Sequence, residues 1–248
     1  MPPTSSELEG ALFAPDQPAI VRGDPEVGVV VSVPDPNQGY VRLLVVDPAH
    51  RGRGLGRELL KAAEADLAGC AAVQIGADPP YYLYPGAPAT ETAFLCLLEH
   101  ARYHRAEANF HMGVDLDRIP GDPGGHEVAT TDAREEIRVW MDANYANWTP
   151  EVLRALDKGT LLVARGDDGL RGFCAYDVNR RGLLGPVGAR IDLIGKGVGW
   201  PLLLGALHRM RAEGQQHIEV SWVGPVVPYA RAGATVSRVF FVYRKSLA

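Results

Sequence analysis

The stretch Arg51-Gly52-Arg53-Gly54-Leu55-Gly56 has the residue types and spacing of an anion cradle. Glycines reach positive φ without a Cβ clash and let a backbone approach a ligand closely. The amides at a helix start have no partner within the helix, and the helix dipole adds partial positive charge there. Arg51 and Arg53 contribute fixed charge with bidentate reach for phosphate oxygens. No Lys-Ser or Lys-Thr follows, which excludes the P-loop, and the spacing is not G-x-G-x-x-G. The chemistry indicated is the holding of a pyrophosphate.

A second candidate is Glu219, in the otherwise apolar run His217-Ile218-Glu219-Val220-Ser221-Trp222. A carboxylate there is costly unless it is paired or faces a cleft, and in a cleft it could serve as a base. The period of a strand allows the plainer reading, an outward-facing residue. His100, His104 and His111 share no face with an acid at ligand spacing, so no metal site is expected.

The elements around the cradle read as α/β. Runs 19–23, 27–33 and 40–46 are β-rich and are separated by turn signals at Asp24-Pro25 and Asp35–Gly39, which predicts a three-strand meander. Leu55, Leu59, Leu60, Ala63 and Leu67 form a one-sided helical stripe, followed by strand 71–77. That strand must lie beside 40–46 if the crossover is to be short. The segment 78–88, with Tyr81, Tyr82, Tyr84 and several prolines, is a loop suited to a sugar or aromatic ligand. Helix 92–103 and strand 110–116 follow. Residues 1–17 read as a loose terminus.

The unit then recurs. At one constant offset, Gly195, Gly197 and Gly199 align with Gly52, Gly54 and Gly56, and Leu202, Leu203 and Ala206 align with Leu59, Leu60 and Ala63. Such a repeat of loop, stripe and strand order marks two copies of one unit. The Pro/Gly-rich segment 119–128 divides them, giving 1–118, a linker, and 129–248. Helices predicted at 132–145 and 149–159 precede the second copy's strands, and the first copy lacks such a front end.

The 248 residues are 46% hydrophobic and 22% charged, with a net charge of −5. Nothing there suggests nucleic-acid binding. No run approaches the length of a membrane span, and the polar N-terminus lacks a signal peptide. A cytoplasmic location is the expectation. Cys70, Cys96 and Cys174 have apolar neighbours and no C-x-x-C spacing, so buried free thiols are expected.

The pattern R-x-x-G-x-G between strand and helix resembles the acetyl-coenzyme A loop of the GCN5-related N-acetyltransferases (GNAT). The resemblance implies a mixed-sheet α/β fold in two tandem domains, the N-terminal one lacking its first helices. It implies acetyl-coenzyme A as co-substrate, without a metal, and a small-molecule amine as acceptor, attacked directly. The cofactor-binding residues would be Val46, Arg51, Gly52, Arg53, Gly54, Leu55 and Gly56, with Gly195, Lys196, Gly197, Val198 and Gly199 in the second copy. There Ile194 replaces Arg51. The family's Tyr near the coenzyme sulfur is matched by Tyr229 in Pro228-Tyr229-Ala230-Arg231-Ala232-Gly233, whereas the first copy has Leu98. Catalysis is therefore expected beside Tyr229. The tyrosine loop with the tandem layout is similar to acetyltransferases of amino-sugar metabolism. The rival reading is a non-catalytic acyl-coenzyme A sensor or scaffold. The sequence does not determine the oligomeric state.

Overall fold

The structure is a computed structural model that describes residues 4–13, 17–79, 81 and 83–247. In chain order the elements are α1 (Ser5–Leu12), β1 (Ile20–Asp24), β2 (Gly28–Val33), β3 (Gly39–Val46), α2 (Leu55–Asp66), β4 (Ala72–Ile75), β5 (Ala87–Pro88), α3 (Thr92–His100), β6 (His104–Asp115) and β7 (Glu127–Val128). There follow α4 (Arg134–Tyr145), α5 (Thr149–Lys158), β8 (Leu161–Gly166), β9 (Gly169–Tyr176), β10 (Leu183–Ala189), α6 (Gly199–Ala212), β11 (His217–Val220), α7 (Val226–Arg231) and β12 (Thr235–Ser246). Two compact units result, Thr4–Phe110 with the residues from Arg238 onward, and His111–Ser237.

In the N-terminal unit β1, β2 and β3 form the expected antiparallel meander. β3 runs parallel to β4 from Gly39↔Val73 to Val41↔Ile75, and the pairing ends there. From that point β3 continues to Val46 unaccompanied by β4, so the two strands splay. β3 also carries a bulge: Val41 faces Ser32 and Leu43 faces Val31, leaving Arg42 as the extra residue. Leu60 and Ala63 of α2, Leu67 at its C-cap and Leu98 of α3 fill a core with Val30, Val41, Val73 and Tyr243. At about 25 cal/mol per Å² of apolar area removed from water, this burial is what holds the helices on the sheet.

The expectation of a loose N-terminus is corrected. Thr4 Oγ1 accepts from the Glu7 amide and the Glu7 carboxylate accepts from the Thr4 amide at 2.7 Å, a reciprocal capping box that starts α1. The N-terminal unit thus has one short front helix. Residues 1–3 and 14–16 of that stretch lie outside the described residues, as do Pro80 and Tyr82.

The C-terminal unit repeats the plan with two front helices. Pro150 in the first turn and Gly159 in the left-handed conformation at the end bound α5 as its sequence predicts. Ile137, Met141, Val152 and Leu156 pack on Leu161 and Phe173. β8 and β9 form the expected hairpin, closing at Gly166↔Gly169. β10 pairs antiparallel with β9 and parallel with β11 only at Leu183↔Glu219 and Leu184↔Val220. A bulge falls between Leu184 and Val187, at the repeat position of Arg42.

The division of the chain differs from the sequence boundary at its far end. Residues 129–248 were expected together, yet β12 pairs with β4 through Tyr243↔Ile75 and Arg244↔Gln74, and the residues from Arg238 onward lie in the N-terminal unit. Within β6, residues up to Phe110 belong to that unit, and those from His111 belong to the other, Met112 to Asp115 pairing with β11. The final strand of the second repeat therefore completes the sheet of the first.

Candidate active site

The cradle is built by the turn between β3 and α2. Gly52 (φ 76°) and Gly54 (φ 89°) both need the left-handed region, and a Cβ on either would meet nothing within 4 Å. Their glycines serve the backbone turn and leave its outer face open. Gly56 has a different role. A Cβ there would come within 3.2 Å of Leu97, so its absence brings α2 close to α3. Gly54 caps α2 without a side-chain acceptor, leaving the first-turn amides for another partner. Arg51 and Arg53 are exposed, and Arg51 Nε donates to the Val46 carbonyl at 2.9 Å.

That last bond shows which way Val46 faces. The Asp47 amide donates to the Val27 carbonyl on the β2 side, so by antiparallel alternation Val46 and Leu44 direct their backbone groups into the splay. A cleft of about 380 Å³ runs along this edge, from Arg51, Gly52, Gly54 and Gly56 past Val46 and Leu44 to Arg42, with Ile75, Gly76, Tyr84 and Phe94 opposite. A phosphate cradle at one end, free strand amides along the side and an apolar opposite wall suit a molecule with an anionic head and a long amide-bearing arm.

Arg42, which lines the cleft, belongs to a buried pair that sequence reasoning missed. Arg42 and Asp78 have side-chain exposures of 0% and 1%, and Arg42 Nε donates to Asp78 Oδ2. Arg42 also donates to the Leu12 carbonyl at 2.9 Å and to Gln17 Oε1 at 2.5 Å, and Gln17 donates to the Pro79 carbonyl. Burial, opposed by Arg42, raises the Asp78 carboxyl above the usual range. Two signals could have found the pair: a lone Arg in an apolar strand, and an Asp closing the next strand. Each demands a partner.

The end of the tyrosine loop at Tyr84–Gly86 is held by backbone contacts. The Ala77 amide donates to the Tyr84 carbonyl at 2.7 Å, and Asn109 donates to the Pro85 carbonyl at 3.1 Å. Gly86 (φ 140°) lies on β12, where a Cβ would come within 2.6 Å of the Phe241 carbonyl oxygen. Tyr84 lines the cleft.

In the C-terminal unit Gly195 and Gly197 repeat the left-handed geometry of Gly52 and Gly54, at φ 81° and 85°. Lys196 and Val198 stand between the glycines, and Gly199 opens α6. Gly199 lacks the close neighbour that Gly56 has. Ile194, in the place of Arg51, is 64% exposed and carries no charge. The carbonyl corresponding to that of Val46 is Ala189, and here the Tyr145 hydroxyl donates to it at 2.5 Å. Tyr145 stacks on Trp148 with ring centroids 5.1 Å apart, so α4 and α5 place aromatic rings against this strand edge.

Tyr229 lies on α7, and burial, with a lesser contribution from Cys174, pushes its hydroxyl up to about 12. Such a phenol stays protonated and can donate at neutral pH. Glu219 lies on β11. Its carboxylate accepts from Arg180 and from Ser237 Oγ at 3.3 Å, and lies 3.8 Å from His111 Nδ1. All three cysteines are free, but Cys96 is exposed, contrary to the expectation of burial for each. Trp222 is half-buried and His217 exposed. Among the described residues no helix is long and apolar enough to cross a membrane.

Each unit carries a pair of splayed parallel strands and a glycine turn at the head of a helix. Residues 16–90 match the family described as acetyltransferase (GNAT) domain. Comparison with curated protein sequences finds no significant match. The fold is shared with a GCN5-related glucosamine N-acetyltransferase region of a fungal multi-domain GH3 β-N-acetylglucosaminidase, at a TM-score of 0.80 and 19% identity. The match covers 98% of this chain and 35% of the fungal one, so this chain spans about a third of that protein's length. A GCN5-related N-acetyltransferase from Sphaerobacter thermophilus matches at a TM-score of 0.72 and 21% identity, covering 98% and 86%. A tandem GNAT protein from the clavulanic acid biosynthesis pathway matches at 0.71 and 20%, covering 100% and 89%. The GNAT match covers residues 16–90, and the whole chain shares the fold of the tandem GNAT protein.

Proposed function

We propose that this protein transfers the acetyl group of acetyl-coenzyme A to a primary amine of a small molecule, with an amino sugar as the acceptor class. The observation that carries the reading is the cleft along β3, which joins the Arg51–Gly56 cradle to the bulge at Arg42. In this reading the amides of Gly52 to Gly56, with Arg51 and Arg53, hold the pyrophosphate. Leu44 and Val46 bond the amide-bearing arm as an added strand would. The thioester then lies where β3 and β4 part. The amine attacks the carbonyl carbon directly, the C–N bond forms, and the C–S bond breaks. The thiolate leaves and takes up a proton, and the new amide nitrogen gives one up, so the products are the amide and the free thiol. The glucosamine N-acetyltransferase region of the fungal neighbour supports the choice of acceptor.

Gly195, Lys196, Gly197, Val198 and Gly199 form a second, weaker coenzyme loop in this scheme, and Tyr229 is the proton donor for a thiolate bound there. Glu219 has no assigned step, because Arg180 holds it. The exposed Ile194 in place of Arg51 favours a second reading for this half, in which it binds an acyl-coenzyme A without turnover.

Calorimetric titration with acetyl-coenzyme A and thiol release over amino sugars, polyamines, aminoglycosides and peptide N-termini test the proposal. Gly54→Trp is expected to abolish binding in the first half, and Gly197→Trp in the second. If the second half does the chemistry, Tyr229→Phe lowers turnover about 100-fold with coenzyme affinity intact. Tight binding with no thiol release for any amine would leave the sensor reading instead.

A further inference from the structure

The strand edge that a coenzyme arm would follow differs between the two units at one carbonyl. In the N-terminal unit the Val46 carbonyl points into the splay and accepts from Arg51 Nε at 2.9 Å. Arg51 is exposed, and a phosphate is a stronger partner for a guanidinium than a neutral carbonyl, so an arriving anion can draw it away. In the C-terminal unit Ala189 stands at the repeat position of Val46. The Arg190 amide donates to the Arg171 carbonyl at 2.8 Å, as Asp47 does to Val27, so by the same alternation the Ala189 carbonyl points into the second splay. Here the donor is the Tyr145 hydroxyl, at 2.5 Å. Its ring is held on both sides: it stacks on Trp148 with centroids 5.1 Å apart and an interplanar angle of 14°, and meets Phe173 edge-on at 5.8 Å. It also presses on β10, where a Cβ on Gly188 would come within 3.0 Å of it. That glycine admits the ring, and the ring brings the hydroxyl to the strand edge. A phenol gains nothing from a phosphate that would make it let go, and Ile194 supplies no cation in its stead.

We propose that Tyr145 is a built-in occupant of the C-terminal arm site, so that acetyl-coenzyme A loads the N-terminal loop first and enters the C-terminal loop only when Tyr145 releases the Ala189 carbonyl. The proposal rests on the coenzyme reading of the strand edges. It assigns the inequality of the two halves to a contact on the strand as well as to the residues of the loop.

The test isolates the C-terminal loop with Gly54→Trp and adds Tyr145→Phe, which keeps the ring and its stack and removes the bond. Tyr145→Leu, which also frees space, is measured beside it, and thermal unfolding shows that each variant is folded. In calorimetric titration the Tyr145 variants are expected to bind acetyl-coenzyme A about tenfold more tightly than Gly54→Trp alone, the worth of one hydrogen bond. ADP, which carries the pyrophosphate without the arm, should show no such gain. With Gly54 intact, Tyr145→Phe should bring out a second binding event at lower coenzyme concentration than wild type does. Affinity unchanged or weakened in the folded Tyr145 variants would overturn the proposal. So would an equal gain for ADP, which would place the effect on the loop, or wild-type affinity in Gly54→Trp alone, which would mean that the C-terminal site is already open. Each of these leaves the coenzyme reading intact. Wild-type protein that does not bind acetyl-coenzyme A overturns both.

Discussion

Glu151 shows how one buried side chain sets a pH dependence. It lies on α5 at 7% exposure, accepts from Asn179 Nδ2 at 2.6 Å, and burial pushes its carboxyl up to about 7. The reference value for the unfolded chain is 4.5. Between these two values the folded state keeps a proton that the unfolded chain has released. Its contribution to stability is therefore fully present below the unfolded value and is lost as pH rises through the folded one. Glu151→Gln should match wild type in thermal unfolding at pH 4.5 and exceed it at pH 8. The gain should be on the order of 3 kcal/mol at 1.36 kcal/mol per unit. Equal curves at both pH values would show that Arg154 and Asn179 fully compensate the burial. The signal in the sequence was faint, because a glutamate one residue after a helix-start proline ordinarily faces water.

The element scale is governed by close backbone approaches. The Pro85-Gly86-Ala87-Pro88 segment sits on β12 because Gly86 has no side chain, and β5 pairs with Phe241 and Phe240 through Ala87 and Pro88. Gly86→Ala would place a Cβ against the Phe241 carbonyl and impose a strained φ. The expected cost is about 3 kcal/mol. Because Tyr84 lines the cleft, acetyl-coenzyme A affinity should weaken together with the unfolding temperature. An alanine variant with wild-type stability would show that β12 does not constrain this loop. Gly54→Ala addresses only the local turn, since a Cβ there meets no neighbour.

For the whole molecule the consequential fact is the placement of β12. Lys245 pairs with Glu64 at 2.8 Å, the Tyr243 hydroxyl donates to Glu99 at 3.0 Å, and Arg244 donates to Gln74 at 2.7 Å, all within the N-terminal unit. Removing β12 exposes the edge of β4 and one side of a core that includes Tyr243. A fragment of residues 1–118 is therefore expected to be unfolded or aggregated by circular dichroism and not to bind acetyl-coenzyme A. A folded, binding-competent fragment would restore the boundary read from the sequence.

What the sequence by itself determined is whatever rests on local rules. Glycine types and spacing specified the left-handed turns at Gly52, Gly54, Gly195 and Gly197, apolar periodicity specified α2, and the boundary signals Pro150 and Gly159 specified α5, both nearly to the residue. The repeat of both patterns disclosed the tandem plan. Only the tertiary structure decided which strand closes which sheet. β12 is the last strand of the second repeat, and nothing in its alternation says that its partner is β4. The same limit hid Arg42 and Asp78, whose charges are tolerable only because a bulge and a strand end, 36 positions apart, bring them together. Partnership between distant residues is a property of packing, and no local pattern encodes it.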